Sequence, residues 1–311
     1  MTRTELQPSV LEANFFYLFI GLILLTLGSL AQSREIYSGL IITEYLIILL
    51  PTVVYLKLRG YSLKKTLRLN KLSLKQIAMI PLIVVCSYPT GVFLNYIMIT
   101  ILSTFSEIKQ SPVPIPQNSS ELLISLVVIA LSAGICEEIM FRGFIMNSYE
   151  KFGKKKAIIV SGVLFGLFHL NLQNLLGPMF LGILFGYIVY KTDSIYSSII
   201  AHTTNNAIAL FLGILVLRLN IDPEAVSQSA QTIPQTFSLA VGAILVGIFA
   251  LAMGVFAFLL LRALPKTEKD LVHVEDTIDN ENTLSFPVIS AVPIVLFFML
   301  FAYIGYKTLT M

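Results

Sequence analysis

The chain has 311 residues, of which 56% are hydrophobic and 13% are charged. In ordinary soluble domains roughly a quarter of the residues are charged, and the mean hydropathy of this chain is +0.83. The composition therefore excludes an ordinary soluble domain and predicts a protein that crosses a membrane several times. The net charge of +3 is too small to indicate a nucleic-acid partner. Cys86 and Cys136 lie in apolar runs, so we expect neither a disulfide framework nor a cysteine-based metal site.

Nine apolar stretches follow one another along the chain, and most of them are close to the ~20 residues that span a bilayer. Their approximate limits are Asn14–Gln32, Gly39–Leu56, Ile77–Phe105, Leu122–Asn147, Ala157–Leu170, Asn174–Tyr190, Ile195–Leu217, Phe237–Leu261 and Phe286–Tyr306. The fifth and sixth are short, which is typical of helices inside a bundle. We therefore expect an all-α, polytopic membrane helix bundle with about 8–9 transmembrane helices. The first stretch can alternatively be a cleaved signal peptide, because Ser29-Leu30-Ala31 resembles a cleavage site.

The basic residues are distributed unevenly between the two sides of these stretches. If the amino terminus is cytoplasmic, 17 of the 21 Lys and Arg residues fall on the cytoplasmic side. The positive-inside rule therefore predicts a cytoplasmic amino terminus. In the first basic loop, Ser62–Gln76 interleaves leucines with basic residues. That pattern indicates either a surface helix on anionic lipid or an ordinary topology loop.

Ionisable residues inside spanning helices are costly and usually functional, and this chain concentrates them in its middle. Glu137 and Glu138 lie in the fourth stretch, His169 near the end of the fifth, and His202 in the seventh. At about 1.5 Å per helical residue, these side chains reach one slab of the membrane. We therefore predict an intramembrane polar site, and the depths favour a cavity that opens to the cytoplasm. Glu44, near the outer end of the second stretch, is expected to be interfacial.

Helical spacing assigns these side chains to faces. Glu138 and Arg142 are four residues apart, so they can form an internal ion pair. Glu137 is rotated by about 100° from Glu138 and is free for chemistry. His202 and Asn206 are also four residues apart and share a face.

Two further patterns concern the fifth and sixth stretches. Phe165 and His169 share a face, which places an aromatic ring beneath the imidazole. Small residues allow close approach of the two helices. These residues are Gly162, Gly166, Gly182 and Gly186.

Such a set of side chains supports general-base hydrolysis. A carboxylate in a low-dielectric pocket gains proton affinity and becomes a competent base towards water. An imidazole can orient that water or pass on a proton. A second His and an Asn amide can donate hydrogen bonds to a developing oxyanion.

The polar residues form three motifs in order, each on a separate apolar helix: E-E-x-x-x-R at 137–142, F-x-x-x-H at 165–169 and H-x-x-x-N at 202–206. This pattern resembles the type II CAAX prenyl endopeptidase family, also called the CPBP or Abi family of intramembrane peptidases. The resemblance covers residues from about Glu121 to Leu210, and no motif position departs from the family pattern.

The resemblance implies that Glu137 activates the water with the help of His169, and that His202 and Asn206 bind the oxyanion. Three further residues have supporting roles: Glu138, Arg142 and Phe165. It also implies an endopeptidase in the cell membrane without a cofactor. Its partners are then a polypeptide substrate, which can be lipid-modified, and the surrounding membrane lipids.

On this basis the sequence divides into three parts. Residues 1–120 contain amino-terminal transmembrane helices and a basic cytoplasmic loop at 57–76. Residues 121–215 form the catalytic helix core. Residues 216–311 contain carboxy-terminal transmembrane helices and an acidic, polar loop at 266–284.

One alternative keeps the peptidase and makes it zinc-dependent. Glu137, His169 and His202 are zinc ligands in type. However, the sequence contains no H-E-x-x-H, which supplies two His ligands from one helix. Metal-independent catalysis is therefore the preferred hypothesis.

Two non-enzymatic hypotheses also fit a membrane protein of this composition. The protein can be a membrane scaffold or bacteriocin-immunity factor, although such a role does not require a base beside an oxyanion site. It can also be a transporter that uses the buried acids as a proton relay, but the inverted repeats of many transporters are not evident. The substrate is not determined by the sequence.

Overall fold

The computed structural model describes residues 7–108, 114–219, 235–267 and 287–310. Within these ranges the chain forms ten helices, which are numbered in chain order. They are α1 (Val10–Arg34), α2 (Ile36–Leu58), α3 (Leu63–Thr66), α4 (Leu74–Leu102), α5 (Ser119–Phe152), α6 (Lys154–Phe168), α7 (Leu176–Thr192), α8 (Ile195–Arg218), α9 (Gln235–Ala263) and α10 (Val288–Thr310).

Seven helices in the described part of the chain are long and apolar enough to cross a membrane: α1, α2, α4, α5, α8, α9 and α10. The other two apolar helices are short, with 15 residues in α6 and 17 in α7. At ~1.5 Å per residue, α6 is about 22 Å long, less than the ~30 Å hydrocarbon core. The predicted all-α polytopic bundle is confirmed. The nine predicted stretches become seven full-length helices and the two short ones expected from the sequence.

Several of the long helices change their hydrogen-bond pattern along their length. π-Helical stretches occur at Leu24–Gly28, Ile42–Leu49, Leu126–Leu131 and Ile139–Ile145. A π-helical turn inserts an extra residue and turns the following side chains to a new direction, and such turns are frequent at functional sites. Two of these stretches contain charged residues inside the membrane, Glu44 in α2 and Arg142 in α5.

Helices α6 and α7 pack backbone to backbone at two glycines. A Cβ atom on Gly182 would lie 2.7 Å from the Cα of Gly162, and one on Gly162 would lie 2.7 Å from the backbone nitrogen of Ile183. Neither distance is possible for a real side chain. The close approach predicted from the glycine pattern is therefore confirmed at this contact, and it exposes the Gly182 carbonyl to α5.

An aromatic core joins α1, α5, α6 and α10. Tyr17 packs against Phe141, Phe168 and Phe297, with ring centroids 4.5 to 6.3 Å apart. Its hydroxyl donates to the Leu164 carbonyl at 2.9 Å, so the polar tip of the ring is satisfied inside the core. This core holds together α5 and α6, two of the three motif-bearing helices.

Arg68, in the connection between α3 and α4, links several segments at one end of the bundle. Arg68 Nη2 lies 2.7 Å from Glu150 Oε1, and its Nε donates to Asp193 Oδ1 at 3.1 Å. The guanidinium also lies 4.9 Å from the centre of the Tyr190 ring. Asn70 Nδ2 donates to the Asp193 carbonyl at 2.7 Å. We call this set, Arg68, Asn70, Glu150, Tyr190 and Asp193, the Arg68 network.

Two hydrogen bonds bring the segment after α9 to the same end. Thr267 N donates to the Lys191 carbonyl at 3.2 Å, and Gln76 Nε2 donates to the Pro265 carbonyl at 3.1 Å. The connections after α2, α5, α7 and α9 therefore lie at one end of the bundle. These are the connections that carry most of the basic residues.

The stretch Ser62–Gln76 does not form a continuous surface helix. Helix α3 covers only Leu63–Thr66, and α4 begins at Leu74. Leu67 is buried, and Arg68 has a left-handed backbone with φ of 49° that ends the helical path. The alternative, an ordered topology loop, agrees with the structure.

Helices from all three parts of the sequence division pack against one another. Helix α4 contacts α8 and α9, and α1 contacts α10. Of the predicted acidic loop at 266–284, only residues 266 and 267 are described, and the remainder lies outside the described residues.

Candidate active site

The centre of the site is an ion pair on α5. Arg142 Nη1 donates to Glu138 Oε1 at 2.7 Å, and both side chains are fully buried. Arg142 Nη2 donates to the Gly182 carbonyl at 3.0 Å. The ion pair predicted from the four-residue spacing is therefore present, and the glycine contact between α6 and α7 supplies its second acceptor.

His202 is joined to the same carboxylate from α8. Its Nδ1 lies 2.9 Å from Glu138 Oε1, so Nδ1 carries a hydrogen and donates it to the carboxylate. The ring lies between Phe165, at 5.6 Å in an edge contact, and Phe185, at 5.5 Å and nearly parallel. This hydrogen bond and the two rings fix the imidazole and leave Nε2 facing Glu137, whose Oε2 is 4.0 Å away.

Glu137 has no such set of partners. Its side chain is 13% exposed, and its Oε2 is buried without a hydrogen-bond partner. One helical position separates it from Glu138, which accepts from both Arg142 and His202. The two adjacent acids therefore differ as the sequence predicts, one held in an ion pair and one left free.

His169 is placed differently from the expectation. It caps the carboxyl end of α6, where its Nδ1 donates to the Phe165 carbonyl at 2.9 Å. Its side chain is exposed rather than buried. The Phe165 ring contacts it edge-on at 5.1 Å, so the predicted aromatic contact is present. Because α6 has only 15 residues, the end of the helix opens into a cavity instead of lying within the packed core.

Asn206 lies one turn beyond His202 on α8. Its Nδ2 donates to the Ile129 carbonyl at 3.4 Å, a long and weak bond. Its side-chain oxygen accepts from Asn205 Nδ2 at 3.1 Å. The amide is thus held by its neighbour on one side and only loosely on the other.

A cavity of about 380 Å³ brings the motif residues of α6 and α8 to one wall. The cavity is lined by Phe165, His169, His202 and Asn206. Glu137 does not line it but lies 4.0 Å from His202, which does. The structure thus brings six of the seven predicted site residues to the cavity or to His202. Arg142 joins them through Glu138.

The same cavity contains polar residues that the sequence analysis missed. They are Tyr88, Asn95, Asn174 and Asn205. Asn95 donates to Asn174 at 2.5 Å and accepts from the backbone of Gly177 at 2.8 Å. An Asn within an apolar helix is a signal that could have identified Asn95, because unpaired amides are costly in lipid.

The cavity lies at the end of the bundle opposite the Arg68 network. Helices α4, α6 and α8 begin at the Arg68 network. The cavity is lined by the second halves of α4 and α6, by the middle of α8 and by the first ten residues of α7. Residues 114–116, before α5, also line it. The expectation of a cavity open to the cytoplasm stays a prediction. It conflicts with this placement if the basic end is the cytoplasmic one.

Glu44 is also placed differently from the expectation. It is 6% exposed and lies inside the bundle, and its Oε2 has no hydrogen-bond partner. An interfacial residue would be exposed. The π-helical stretch Ile42–Leu49 turns it towards α5.

The described residues contain no group of three or more His, Cys, Asp and Glu side chains placed to hold a metal ion. The zinc alternative requires Glu137, His169 and His202 to converge as ligands. Glu137 and His202 lie 4.0 Å apart, but as placed they form no such group with His169, which stands at the end of α6.

Comparison with known proteins gives a match over the same part of the chain. Residues 119–208 match the family model described as type II CAAX prenyl endopeptidase Rce1-like. The matched segment contains all seven predicted site residues, so the resemblance found in the motifs is confirmed.

The chain is also similar to a curated protein of Bacillus subtilis (strain 168), "Putative membrane peptidase YdiL". The two are 31% identical over 90 residues, which are 29% of this chain and 37% of that protein. No solved structure gave a significant match. Together with the seven apolar helices, these findings indicate a multi-pass membrane protein whose middle segment is similar to CAAX-protease-like membrane peptidases.

Proposed function

We propose that this protein is an intramembrane endopeptidase in which Glu137 activates a water molecule that hydrolyses a peptide bond, without a metal ion. One observation carries the proposal. Within the Rce1-like segment, Arg142, Glu138 and His202 form a hydrogen-bonded chain that ends opposite the unpartnered carboxylate of Glu137.

Glu137 is the general base in this proposal. Its Oε2 is buried and accepts no hydrogen bond, so the lone pairs of the carboxylate are available for the proton of a water. As the proton leaves, the water oxygen attacks the substrate carbonyl carbon. A general base of this kind typically contributes about 10²–10⁴-fold to the rate.

His202 and Asn206 are the proposed oxyanion donors. Glu138 accepts from Nδ1 and therefore orients the ring, so that a protonated His202 donates from Nε2 to the developing charge. The bond from Asn206 Nδ2 to Ile129 is weak at 3.4 Å, so the amide can exchange it for the oxyanion. Two preorganised donors of this type are worth several kcal/mol in a site that excludes water, at about 3 kcal/mol per donor.

His169 assists from the wall of the cavity. Because its Nδ1 donates to the Phe165 carbonyl, its Nε2 is the free acceptor in the neutral ring. It can take the proton gained by Glu137 and deliver it to the leaving amine. Phe165 supports both imidazoles, since its ring contacts His169 at 5.1 Å and His202 at 5.6 Å.

We further propose that the amino terminus is cytoplasmic, as the basic connections favour. The cavity then opens to the opposite face, and a polypeptide substrate, lipid-modified or not, enters from that face. Single-cysteine variants test this orientation in a background where Cys86 and Cys136 are Ala. We expect a membrane-impermeant thiol reagent to label Asn171→Cys in intact cells and Lys155→Cys only after permeabilisation. The reverse pattern would contradict the orientation.

The catalytic proposal is tested with purified wild type and Glu137→Gln on a quenched-fluorescent peptide library that includes prenylated peptides. Glu121→Gln is the matched control, because it lies on the same helix near the amino terminus of α5. We expect Glu137→Gln to lower kcat/KM by about 10²–10⁴-fold, and Glu121→Gln to keep it. Cleavage by wild type should persist with a chelator. Loss of cleavage on chelation would instead favour a metal ion, and equal cleavage by Glu137→Gln would exclude Glu137 as the base.

A further inference from the structure

Glu44 is a carboxylate inside the membrane that the proposed mechanism does not use. It lies in the π-helical stretch of α2 and is 6% exposed, and its Oε2 has no hydrogen-bond partner. A charged side chain in this position is costly unless it is compensated. Such a residue is usually functional.

Glu44 faces the part of α5 that carries the general base. The stretch Ile42–Leu49 packs against Ser132–Glu138. A 3.2 Å hydrogen bond between the hydroxyls of Ser132 and Tyr45 also joins the two segments. Glu44 and Glu137 belong to these two packed segments, and each has a buried oxygen without a hydrogen-bond partner.

The other ionisable groups near Glu44 are engaged elsewhere or carry no positive charge. On α5, Arg142 is bound to Glu138, and Cys136 is a buried free thiol. On α1, Tyr17 is bound to the Leu164 carbonyl, and Glu12 is bound to Arg59 and Tyr61. Arg34 ends α1 away from this contact. Among the described residues that pack against this stretch of α2, none is a Lys or Arg available to neutralise two carboxylates. On the α8 side of Glu137, His202 Nε2 lies 4.0 Å from Glu137 Oε2, and its Nδ1 is bound to Glu138.

Two carboxylates buried at one helix contact in a medium of low dielectric constant disfavour each other's ionisation, because like charges repel. We propose that Glu44 and Glu137 hold one buried proton between them, and that Glu44 is a positioning residue which sets the charge of the general base. The pair then carries one negative charge. The role in catalysis rests on the proposed function, whereas the shared proton does not.

The consequence for the reaction follows from the charge of the pair. A second carboxyl group beside Glu137 strengthens its hold on a proton and therefore its strength as a base. It also gives the pair a place for the proton that comes from the attacking water. Replacing Glu44 by Gln keeps the shape and removes the ionisable group.

The shared proton is tested directly by infrared spectroscopy of the purified protein at neutral pH, which detects the carbonyl band of a protonated carboxylic acid. We expect this band in wild type and its loss in Glu44→Gln, since Glu137 is then ionised alone. The control is Tyr45→Phe, which removes the neighbouring hydrogen bond to Ser132 and keeps both acids. Absence of the band in wild type, or its persistence in Glu44→Gln, would overturn the proposal.

A second measurement is the pH dependence of peptide cleavage. In Glu44→Gln we expect the acidic limb of the kcat/KM profile to move to lower pH by about one unit or more, with a fall in kcat at the plateau. Tyr45→Phe should leave the limb in place. An unchanged limb and kcat in Glu44→Gln would contradict a positioning role.

If Glu44→Gln does not fold, Glu44→Asp retains the acid on a shorter side chain. The expected result is a band that remains but moves in frequency, and an unmoved band would count against the pair. If the band behaves as expected and neither protein cleaves any peptide, the shared proton stands and the proposed function fails.

Discussion

Arg68 and Arg142 both bind carboxylates in ion pairs, but the two ion pairs have different roles. Arg68, in a connection at the basic end, contacts two carboxylates, Glu150 at 2.7 Å and Asp193 at 3.1 Å. Arg142, inside the membrane, contacts a single carboxylate, Glu138, at 2.7 Å. The Arg68 side chain is 14% exposed, whereas that of Arg142 is wholly buried.

The two ion pairs differ in the other groups that their carboxylates bind. In the Arg68 network the cation joins three connections of the chain, and its two carboxylates serve only this purpose. Burial opposes the charged form, but Glu150, Tyr190 and Asp193 outweigh it and raise the pKa of Arg68. Inside the membrane, the oxygen that accepts from Arg142 also accepts from His202. The first ion pair holds segments of chain together, while the second orients an imidazole.

The largest effect on stability is expected from Arg142→Met. This change leaves Glu138 buried with an uncompensated charge, so we expect a loss of about 3–5 kcal/mol in the free energy of unfolding. Denaturant titration of the purified protein in detergent measures it. Lys155→Met, an exposed basic residue at the start of α6, is the control and should change little.

A smaller loss is expected from Gly182→Ala. The added Cβ meets the backbone of Gly162 at 2.7 Å, which neither helix can avoid by turning a side chain. We expect about 1–3 kcal/mol of destabilisation and a weaker contact between Arg142 and the carbonyl at 182. Gly186→Ala is the matched control, since its Cβ meets the flexible Met146 sulfur at 3.2 Å. Equal losses in both variants would contradict the backbone contact.

Arg68→Met should destabilise less than Arg142→Met, by about 1–2 kcal/mol, because water can reach its two acids and a charge-assisted bond is worth about that much. Peptide cleavage should remain, since the Arg68 network lies at the other end of the bundle from the cavity. The measurement pairs the unfolding titration with kcat/KM. A loss of cleavage as large as that of Arg142→Met would remove the distinction between the two arginines.

The smallest effect on stability is expected when both members of the membrane pair are replaced, in Arg142→Met with Glu138→Met. Apolar side chains of similar volume often replace a buried ion pair at little cost, so stability should return to within about 1 kcal/mol of wild type. Cleavage should stay at least about 10²-fold down, because His202 has lost the acceptor that orients it. Recovery of both stability and cleavage would show that the pair is structural only.

Much of the fold was predictable, because spans in lipid follow from hydropathy and length alone. The Glu138–Arg142 pair was also predictable, since four-residue spacing places both on one face of any helix. The contact at Gly162 and Gly182 followed from small residues at helical spacing. Each of these inferences needs information from one helix or from two neighbouring helices only.

The missed features depend on how several elements meet. The burial of Glu44 results from a π-helical stretch that turns it towards α5, and depth along one helix does not reveal it. Arg68 lies in a basic loop, where a positive residue indicates topology and gives no sign of partners at Glu150 and Asp193. The side on which the cavity opens required the lengths of α6 and α7 and the position of residues 114–116.

The two short helices have a consequence for the supply of water. Each bond that is hydrolysed consumes a water molecule, and the middle of a bilayer contains almost none. Helices of about 22 and 26 Å are shorter than the hydrocarbon layer around them, so lipid beside α6 and α7 must thin or headgroups must dip to meet their ends. His169 stands where α6 stops, at the wall of the cavity. We therefore expect bilayer thickness itself to govern how readily water reaches the site, with slower cleavage in longer-chain lipids.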